Sequence, residues 1–135
     1  MREIKYIVIH CTGAIGNQST DSIKNYWKSV MKWKSVGYHY LISMDGGYEQ
    51  LSPIESPTNG VKGFNATSVH ICYKGGAGGL DSRTEAQKQT LTMLVKQMKA
   101  KFPNAEIKGH RDFPNVQKSC PNFDAKAWVK SLGIK

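Results

Sequence analysis

A short apolar run near the start of the chain constrains the fold more than any other stretch. Residues 4–9 read IKYIVI, which is nearly continuous in apolar character and rich in β-branched side chains. A run of this length and composition predicts a strand that is covered on both faces. The run stops at His10, and Cys11, Thr12 and Gly13 follow. Because open α/β sheets place their sites at the carboxyl ends of central strands, this polar cluster is a candidate functional site.

Strand and helix patterns alternate along the next seventy residues. Apolar residues at helical spacing, after the capping residues 19–21, predict a first helix that Gly37 ends. These are Ile23, Tyr26, Trp27, Val30 and Met31. Residues 37–42 and 48–51 flank a glycine-rich turn and predict a β-hairpin. Residues 52–65 predict a loop over one face, and the alternation of residues 69, 71 and 73 predicts another strand.

The clearest helix pattern lies in the second half of the chain. Ser82, with Glu85 three positions later, predicts a capping box. The apolar stripe that follows consists of Leu91, Leu94, Val95, Met98 and Phe102. Residues 106–108 predict a short strand that ends next to His110, and Asp124 is expected to cap a final helix. The pattern predicts a single α/β domain over residues 1–135, with a mixed central sheet of five or six strands and helices on both faces.

Charge and cysteine content limit the partners. The chain has 19 Lys and Arg residues against 10 Asp and Glu, a net charge of +9. This charge favours a polyanionic partner, and by itself it leaves nucleic acid, an anionic membrane and an acidic cell-wall polymer open. The sequence has no apolar run of about 18 residues and no signal-like start, so we expect no signal peptide and no membrane insertion. Three cysteines, an odd number, favour free thiols over a disulfide framework.

Residues 107–123 carry the most chemistry. They read IKGHRDFPNVQKSCPNF, with His110 and Cys120 in a segment that Pro114 and Pro121 stiffen. If the strands before His10 and His110 are parallel neighbours, both imidazoles emerge at one edge of the sheet. Two histidines and one thiolate suit a tetrahedral Zn²⁺ whose fourth position stays open. Asp112 is a competing carboxylate, but two positions after His110 it is expected to brace the loop.

Three motifs, in this order, resemble a known family. They are IKYIVIHCTG, GYHYLISMDGGYEQL and GHRDFPNVQKSCPNF, and the similarity covers essentially the whole chain. The chain resembles the zinc-dependent N-acetylmuramoyl-L-alanine amidases, which include phage lysozyme-type amidases and the peptidoglycan recognition proteins (PGRPs). The resemblance implies hydrolysis of the amide between the lactyl group of N-acetylmuramic acid and L-alanine of the stem peptide. It also implies one catalytic zinc ion, bound by His10, His110 and Cys120.

The resemblance implies further roles. Tyr38 and Lys118 match catalytic positions and would hydrogen-bond the attacking water or the oxyanion. The third ligand is Cys120, where many relatives have an aspartate. Three other polar residues, Thr12, Asn65 and Ser68, are expected to contact substrate or to order the strands near the site. His39 and His70, by contrast, are expected to be packing residues within strands.

Several alternatives stay open at this point. One is a peptidoglycan-binding module that does not cut its ligand, and another is a cysteine hydrolase that uses Cys120. Only the positive charge favours nucleic-acid binding. Because the sequence has no nucleic-acid recognition motif, we expect no specific nucleic-acid partner. The preferred hypothesis is a monomeric phage or prophage endolysin. It would accumulate in the bacterial cytoplasm before release and act on the peptidoglycan of the cell wall.

Overall fold

Five strands form one sheet that organises the chain. In the computed structural model they are β1 (Tyr6–Cys11), β2 (Tyr40–Ile42), β3 (Tyr48–Gln50), β4 (Ser68–Tyr73) and β5 (Glu106–Gly109). The sheet order is β3-β2-β4-β1-β5, in which only the β2–β3 pair is antiparallel. The prediction of a mixed sheet with five or six strands is therefore confirmed.

The structure describes residues 2–16, 18–114 and 116–134. The domain predicted over residues 1–135 thus includes four residues, Met1, Asn17, Asn115 and Lys135, that lie outside the described part. The helices are α1 (Thr20–Ser29), α2 (Glu85–Lys101) and α3 (Ala125–Ser131). Short 3-10 turns occur at Asn65–Thr67, Ala77–Gly79 and His110–Asp112. Across the described residues, no helix combines the length and apolar character needed to cross a membrane.

Strand β1 lies inside the sheet, between β4 and β5, and both neighbours run parallel to it. Ile7 and Ile9 pack with α2 and α3 on one face, while Val8 packs with Val61 and Phe113 on the other. This arrangement confirms the prediction that the first apolar run is a strand buried on both faces. It also confirms that the strands leading to His10 and His110 are parallel neighbours.

Helices cover both faces of the sheet, as predicted. Helices α2 and α3 pack on one face, and α1 packs on the other, where Ile23 and Trp27 contact the cluster around Leu41. The predicted extent of α1 is wrong, because the helix ends at Ser29. Val30 and Met31 continue the apolar spacing but lie past the helix end and are exposed.

The N-terminal cap of α2 differs from the prediction by two residues. Thr84 is the cap: its Oγ1 accepts from the Gln87 backbone N–H at 3.0 Å, and Gln87 Oε1 accepts from the Thr84 N–H at 3.0 Å. Ser82 instead accepts from the Gly76 N–H at 2.7 Å. Gln87 completes the capping box because its side chain, like that of glutamate, reaches back to the cap.

The predicted hairpin is present, but its first strand begins at Tyr40 and not at residue 37. Tyr38 therefore lies in the connection before β2, not on a strand. This connection leads from α1 back to the sheet, and it brings the Tyr38 ring next to Trp27, with ring centroids 5.4 Å apart.

Candidate metal centre and active site

His10 occupies the next-to-last position of β1 and is completely buried. Successive side chains along a strand alternate between faces, so His10 shares the face of Val8. Its Nε2 lies 2.8 Å from His70 Nδ1. Its Nδ1 is buried and has no hydrogen-bond partner among the described residues. A buried nitrogen without a partner is rare enough to need an explanation.

His110 reaches the same place from β5. Gly109 pairs with Ile9 in the parallel register, so the next residues along the two strands, His110 and His10, are level. The centroids of their imidazole rings are 4.8 Å apart. Burial, followed by the positive charge of Lys118, lowers the pKa of His110 to about 4. Burial also lowers the pKa of His10 well below its usual range, so both rings are neutral at pH 7.

Cys120 comes from the loop after the third 3-10 turn. The backbone N–H of Cys11 donates to Cys120 Sγ at 3.0 Å, and the Arg111 N–H donates to the Cys120 carbonyl at 2.9 Å. The loop is thus tied to the ends of both β1 and β5. Asp112 accepts from the Gly109 N–H at 2.8 Å, which agrees with its predicted bracing role.

Together these three residues form a compact group of possible ligands. One ligand atom from each of His10, His110 and Cys120 lies within 4.8 Å of the other two. No other group of at least three His, Cys, Asp or Glu residues meets this criterion in the described ranges. Neutral imidazoles and a thiolate are ligands that Zn²⁺ prefers, and the unpartnered His10 Nδ1 fits a metal ligand. The residues present therefore fit a zinc ion.

The pKa of the Cys120 thiol bears on whether this residue acts as a metal ligand or as a nucleophile. The neighbouring Cys11 side chain, and then burial, raise the pKa of Cys120 above its ordinary value. A thiol with a raised pKa is a poor nucleophile at neutral pH. A bound divalent cation would lower the pKa of the thiol, because it stabilises the thiolate form. Without a bound cation, the raised pKa disfavours the thiolate that a cysteine hydrolase would need at neutral pH.

His70 is part of the site, although the sequence suggested only a packing role. It lies on β4, two residues before Cys72, the register partner of His10. His70 Nε2 is 2.9 Å from Asn65 Oδ1, which also accepts from the Val61 N–H at 2.8 Å. The expected ordering role of Asn65 thus has a contact to support it. The involvement of His70 depends on the sheet order, which the sequence pattern did not specify.

Tyr38 and Lys118 border the ligand group. The Tyr38 ring lies 4.9 Å from the His10 ring, centroid to centroid. Burial raises the pKa of Tyr38 well above its ordinary value, so its hydroxyl keeps its proton. Lys118 is exposed, and its charge contributes to the lowered pKa of both His10 and His110.

Thr12 and Ser68 have different surroundings. Thr12 Oγ1 donates to the Gly75 carbonyl at 3.2 Å and accepts from the Gly75 N–H at 2.9 Å, next to the site. Ser68 is buried at the start of β4, and its hydroxyl donates to the Phe64 carbonyl at 2.7 Å. Ser68 thus helps to anchor the strand that carries His70, and it lines neither of the two pockets next to the site.

Two open pockets border His110, one of the three possible ligands. The larger has a volume of about 940 Å³ and is lined by residues that include Trp33, Phe64 and Asn65. The smaller, of about 410 Å³, is lined by residues that include Thr12, Tyr38 and Cys120. His110 and Lys118 line both pockets. A group of three possible metal ligands beside open pockets is compatible with a metallohydrolase.

Comparison with known proteins agrees with this class. The profile of the N-acetylmuramoyl-L-alanine amidase family matches residues 1–123. The endolysin of Klebsiella phage KP32 is 33% identical over an alignment of 136 positions, which covers 94% of this chain and 86% of the relative. The N-acetylmuramoyl-L-alanine amidase LysC of Clostridium intestinale superposes with a TM-score of 0.84 at 25% identity, over 99% of this chain and 88% of LysC. The chain belongs to the N-acetylmuramoyl-L-alanine amidase family and is a hydrolase of the amidase class.

The fold extends beyond the amidases of bacteria and phages. The X-ray structure of Apis mellifera PGRP-SA superposes with a TM-score of 0.78 at 19% identity, over 97% of this chain and 84% of that protein. At this identity the similarity concerns the fold alone. The predicted fold class, an α/β domain of the amidase and PGRP type, is confirmed.

Proposed function

We propose that this chain is a zinc-dependent endolysin. It would hydrolyse the amide between the lactyl group of N-acetylmuramic acid and L-alanine of the stem peptide in peptidoglycan. The observation that carries the proposal is the convergence of His10, His110 and Cys120, with His10 Nδ1 buried and without a protein partner among the described residues. Family membership independently favours this amide as the substrate.

Three side chains are the proposed zinc ligands. His10, His110 and Cys120 would hold one Zn²⁺ beside the two pockets, and three protein ligands are the number typical of a catalytic zinc site. When bound, zinc would supply Lewis acidity: it would polarise an amide carbonyl and lower the pKa of nearby water toward neutrality. The family is generally zinc-dependent, which supports the choice of this ion.

Tyr38 and Lys118 are the proposed catalytic groups. With its pKa raised by burial, the Tyr38 hydroxyl remains a hydrogen-bond donor at neutral pH, next to His10. Lys118 brings a positive charge to the edge that both pockets share. Both groups would stabilise the oxyanion that develops on the substrate carbonyl, and such donors contribute about 10²–10³-fold to the rate.

The pocket arrangement suits the substrate. The scissile amide joins a glycan strand to a peptide, so the enzyme has to accommodate a different polymer on each side of the bond. Two pockets that share His110 and Lys118 offer such a pair of sites. The net charge of +9 would draw the protein to the acidic polymers of a cell wall.

The biological setting is proposed from the relatives. The relatives include the endolysins of Klebsiella phage KP32 and Escherichia phage T7. We therefore propose a phage or prophage protein that acts as a monomer on the cell wall after it accumulates in the host cytoplasm. An export route in the native host that operates without a membrane pore would contradict this proposal.

Digestion of purified peptidoglycan tests the activity directly. The wild-type protein should release new amino termini on L-alanine and bind one zinc ion per chain. Cys120→Ser should lose most of the activity and bind zinc much more weakly, because a ligand is removed. The matched control is Cys72→Ala, which removes a completely buried thiol from the same sheet, outside the ligand group, and should keep its zinc.

Two other outcomes would lead to different conclusions. New reducing sugar ends in place of L-alanine termini would indicate a glycosidase and contradict the proposal. Treatment with EDTA should abolish the activity, and readdition of zinc should restore it. Full activity in EDTA would point instead to a thiol enzyme.

A further inference from the structure

A chain of hydrogen bonds runs from a backbone amide to the buried ligand His10. The Val61 N–H meets Asn65 Oδ1 at 2.8 Å, and the same oxygen lies 2.9 Å from His70 Nε2. His70 Nδ1 in turn lies 2.8 Å from His10 Nε2. The chain ends at His10 Nδ1, which has no protein partner within the described ranges.

The direction of every bond in this chain follows from its first member. A backbone N–H only donates, so the Asn65 atom that it meets is the acceptor oxygen. This oxygen has no proton to give, so His70 Nε2 donates to it. A neutral imidazole has one donor and one acceptor nitrogen, which makes His70 Nδ1 an acceptor. His10 Nε2 must therefore carry the proton, and the lone pair is left on His10 Nδ1.

We propose that Asn65 and His70 are positioning residues that fix the Nε2–H tautomer of His10 and thereby present its Nδ1 to the metal ion. The inference rests on the proposed function, because it takes His10 as a ligand. Neither residue would touch the metal; both would act through His10. Partners of this kind typically change metal affinity by about 10–100-fold.

The surroundings of His70 hold its ring in place. His70 is completely buried, and its backbone N–H donates to His39 Nδ1 at 3.0 Å. The two rings stack with a centroid distance of 6.1 Å and an interplanar angle of 16°. On another side, the α carbon of Gly60 is so close that a β-carbon there would overlap the His70 ring. These contacts oppose rotation of the ring that would offer its other nitrogen.

The first test needs no substitution. Nitrogen chemical shifts of the imidazoles in the zinc-free wild-type protein report which nitrogen carries the proton. We expect the proton on Nε2 in both His10 and His70. A proton on His10 Nδ1 in the folded, zinc-free protein would overturn the inference.

The second test measures zinc affinity by competition with a chromophoric chelator. His70→Leu removes the acceptor and should raise the dissociation constant for zinc by about 10–100-fold. His70→Asn returns an acceptor oxygen close to the position of Nδ1, so it should recover most of that loss. A general packing defect would not produce this recovery, because asparagine fills the site less well than leucine.

Asn65→Leu provides a variant that leaves both histidines unchanged. It removes the acceptor at the far end of the chain, and it should mix the tautomers of His10 and weaken zinc binding. Equal zinc affinity in wild type, His70→Leu and Asn65→Leu would overturn the inference and leave the proposed function standing. A wild-type protein that binds no zinc would overturn both.

Discussion

Pro121 packs directly against the backbone of Gly109: a β-carbon at residue 109 would lie 2.7 Å from Pro121 Cδ. Each residue is adjacent in sequence to a candidate ligand, Gly109 to His110 and Pro121 to Cys120. The missing side chain at residue 109 is what lets the loop approach the end of β5. Ligand spacing at the candidate metal centre therefore depends on a residue that offers no ligand.

Gly109→Ala should separate the ligands. Gly109 has φ −85°, which alanine adopts without strain, so the effect should come from the displaced loop. We expect zinc affinity to fall by about tenfold or more, in the range seen when ligand support is disturbed. Competition with a chelator measures the change. Gly47→Ala, in the β2–β3 turn, is the matched control, and an unchanged affinity in Gly109→Ala would contradict the argument.

Tyr38→Phe separates catalysis from metal binding. The variant keeps the ring that packs near His10 and Trp27 but loses the hydroxyl. If the hydroxyl stabilises the oxyanion, kcat should fall by about 10²–10³-fold while the zinc content stays at the wild-type level. Steady-state kinetics and metal analysis on the same preparation provide the test. Wild-type kcat in the variant would remove Tyr38 from the mechanism.

The stability of the zinc-free protein should depend on pH through His39. Burial lowers its pKa to about 4, whereas an unfolded histidine titrates near 6.5. Between these two pH values the unfolded chain binds more protons than the folded one. The stabilising contribution of neutral His39 is therefore complete above about pH 6.5 and declines as the pH falls toward 4. The pKa difference between folded and unfolded His39 corresponds to about 3 kcal/mol in the free energy of unfolding.

Urea unfolding in EDTA between pH 7.5 and 4 measures this dependence. His39 donates from Nε2 to the Ser56 carbonyl at 2.7 Å, so His39→Gln loses stability at every pH. The informative quantity is the slope with pH, which should be smaller in the variant. The remaining slope comes from His10, His70 and His110, whose pKa values are also lowered. Equal slopes in the two proteins would show that His39 does not contribute.

Thr84→Ala should destabilise the protein through α2. The substitution removes the acceptor for the Gln87 N–H and the hydroxyl that donates to the Met44 carbonyl at 2.6 Å. Loss of an N-terminal cap costs about 1 kcal/mol, and the free energy of unfolding should fall by at least that amount. Gln89→Ala, at an exposed position of the same helix, is the control and should change stability little. A free energy of unfolding in Thr84→Ala equal to that of the wild type would contradict the assigned cap.

Patterns within single elements were enough to predict much of the fold. The apolar run before His10, the short strand before His110 and the stripe of α2 each depend on local periodicity, which the sequence displays. The errors have local causes too. Val30 and Met31 continue a helical spacing but are exposed past the end of α1, and Ser82 with Glu85 has the same spacing as the capping box that Thr84 and Gln87 form.

The candidate ligands were predictable because their residue types and motif context are distinctive. The contribution of His70 was not, because it arises from the placement of β4 beside β1 and from the register that makes residues 10 and 70 diagonal neighbours. A histidine inside an apolar strand has no sequence signal that separates packing from support of a ligand. The close approach at Gly109 was missed for a similar reason, since it depends on the path of the loop that carries Pro121, twelve residues later.

The first and last candidate ligands lie 110 positions apart, His10 near the end of β1 and Cys120 in the loop after β5. During translation, the first imidazole leaves the ribosome long before the thiol that completes the set. A nascent polypeptide that stops short of Cys120 carries most of the sheet but no full ion-binding triad. Under the proposed function, truncated translation products would be inert toward the wall, and hydrolytic capacity would begin only with chains extended past that cysteine.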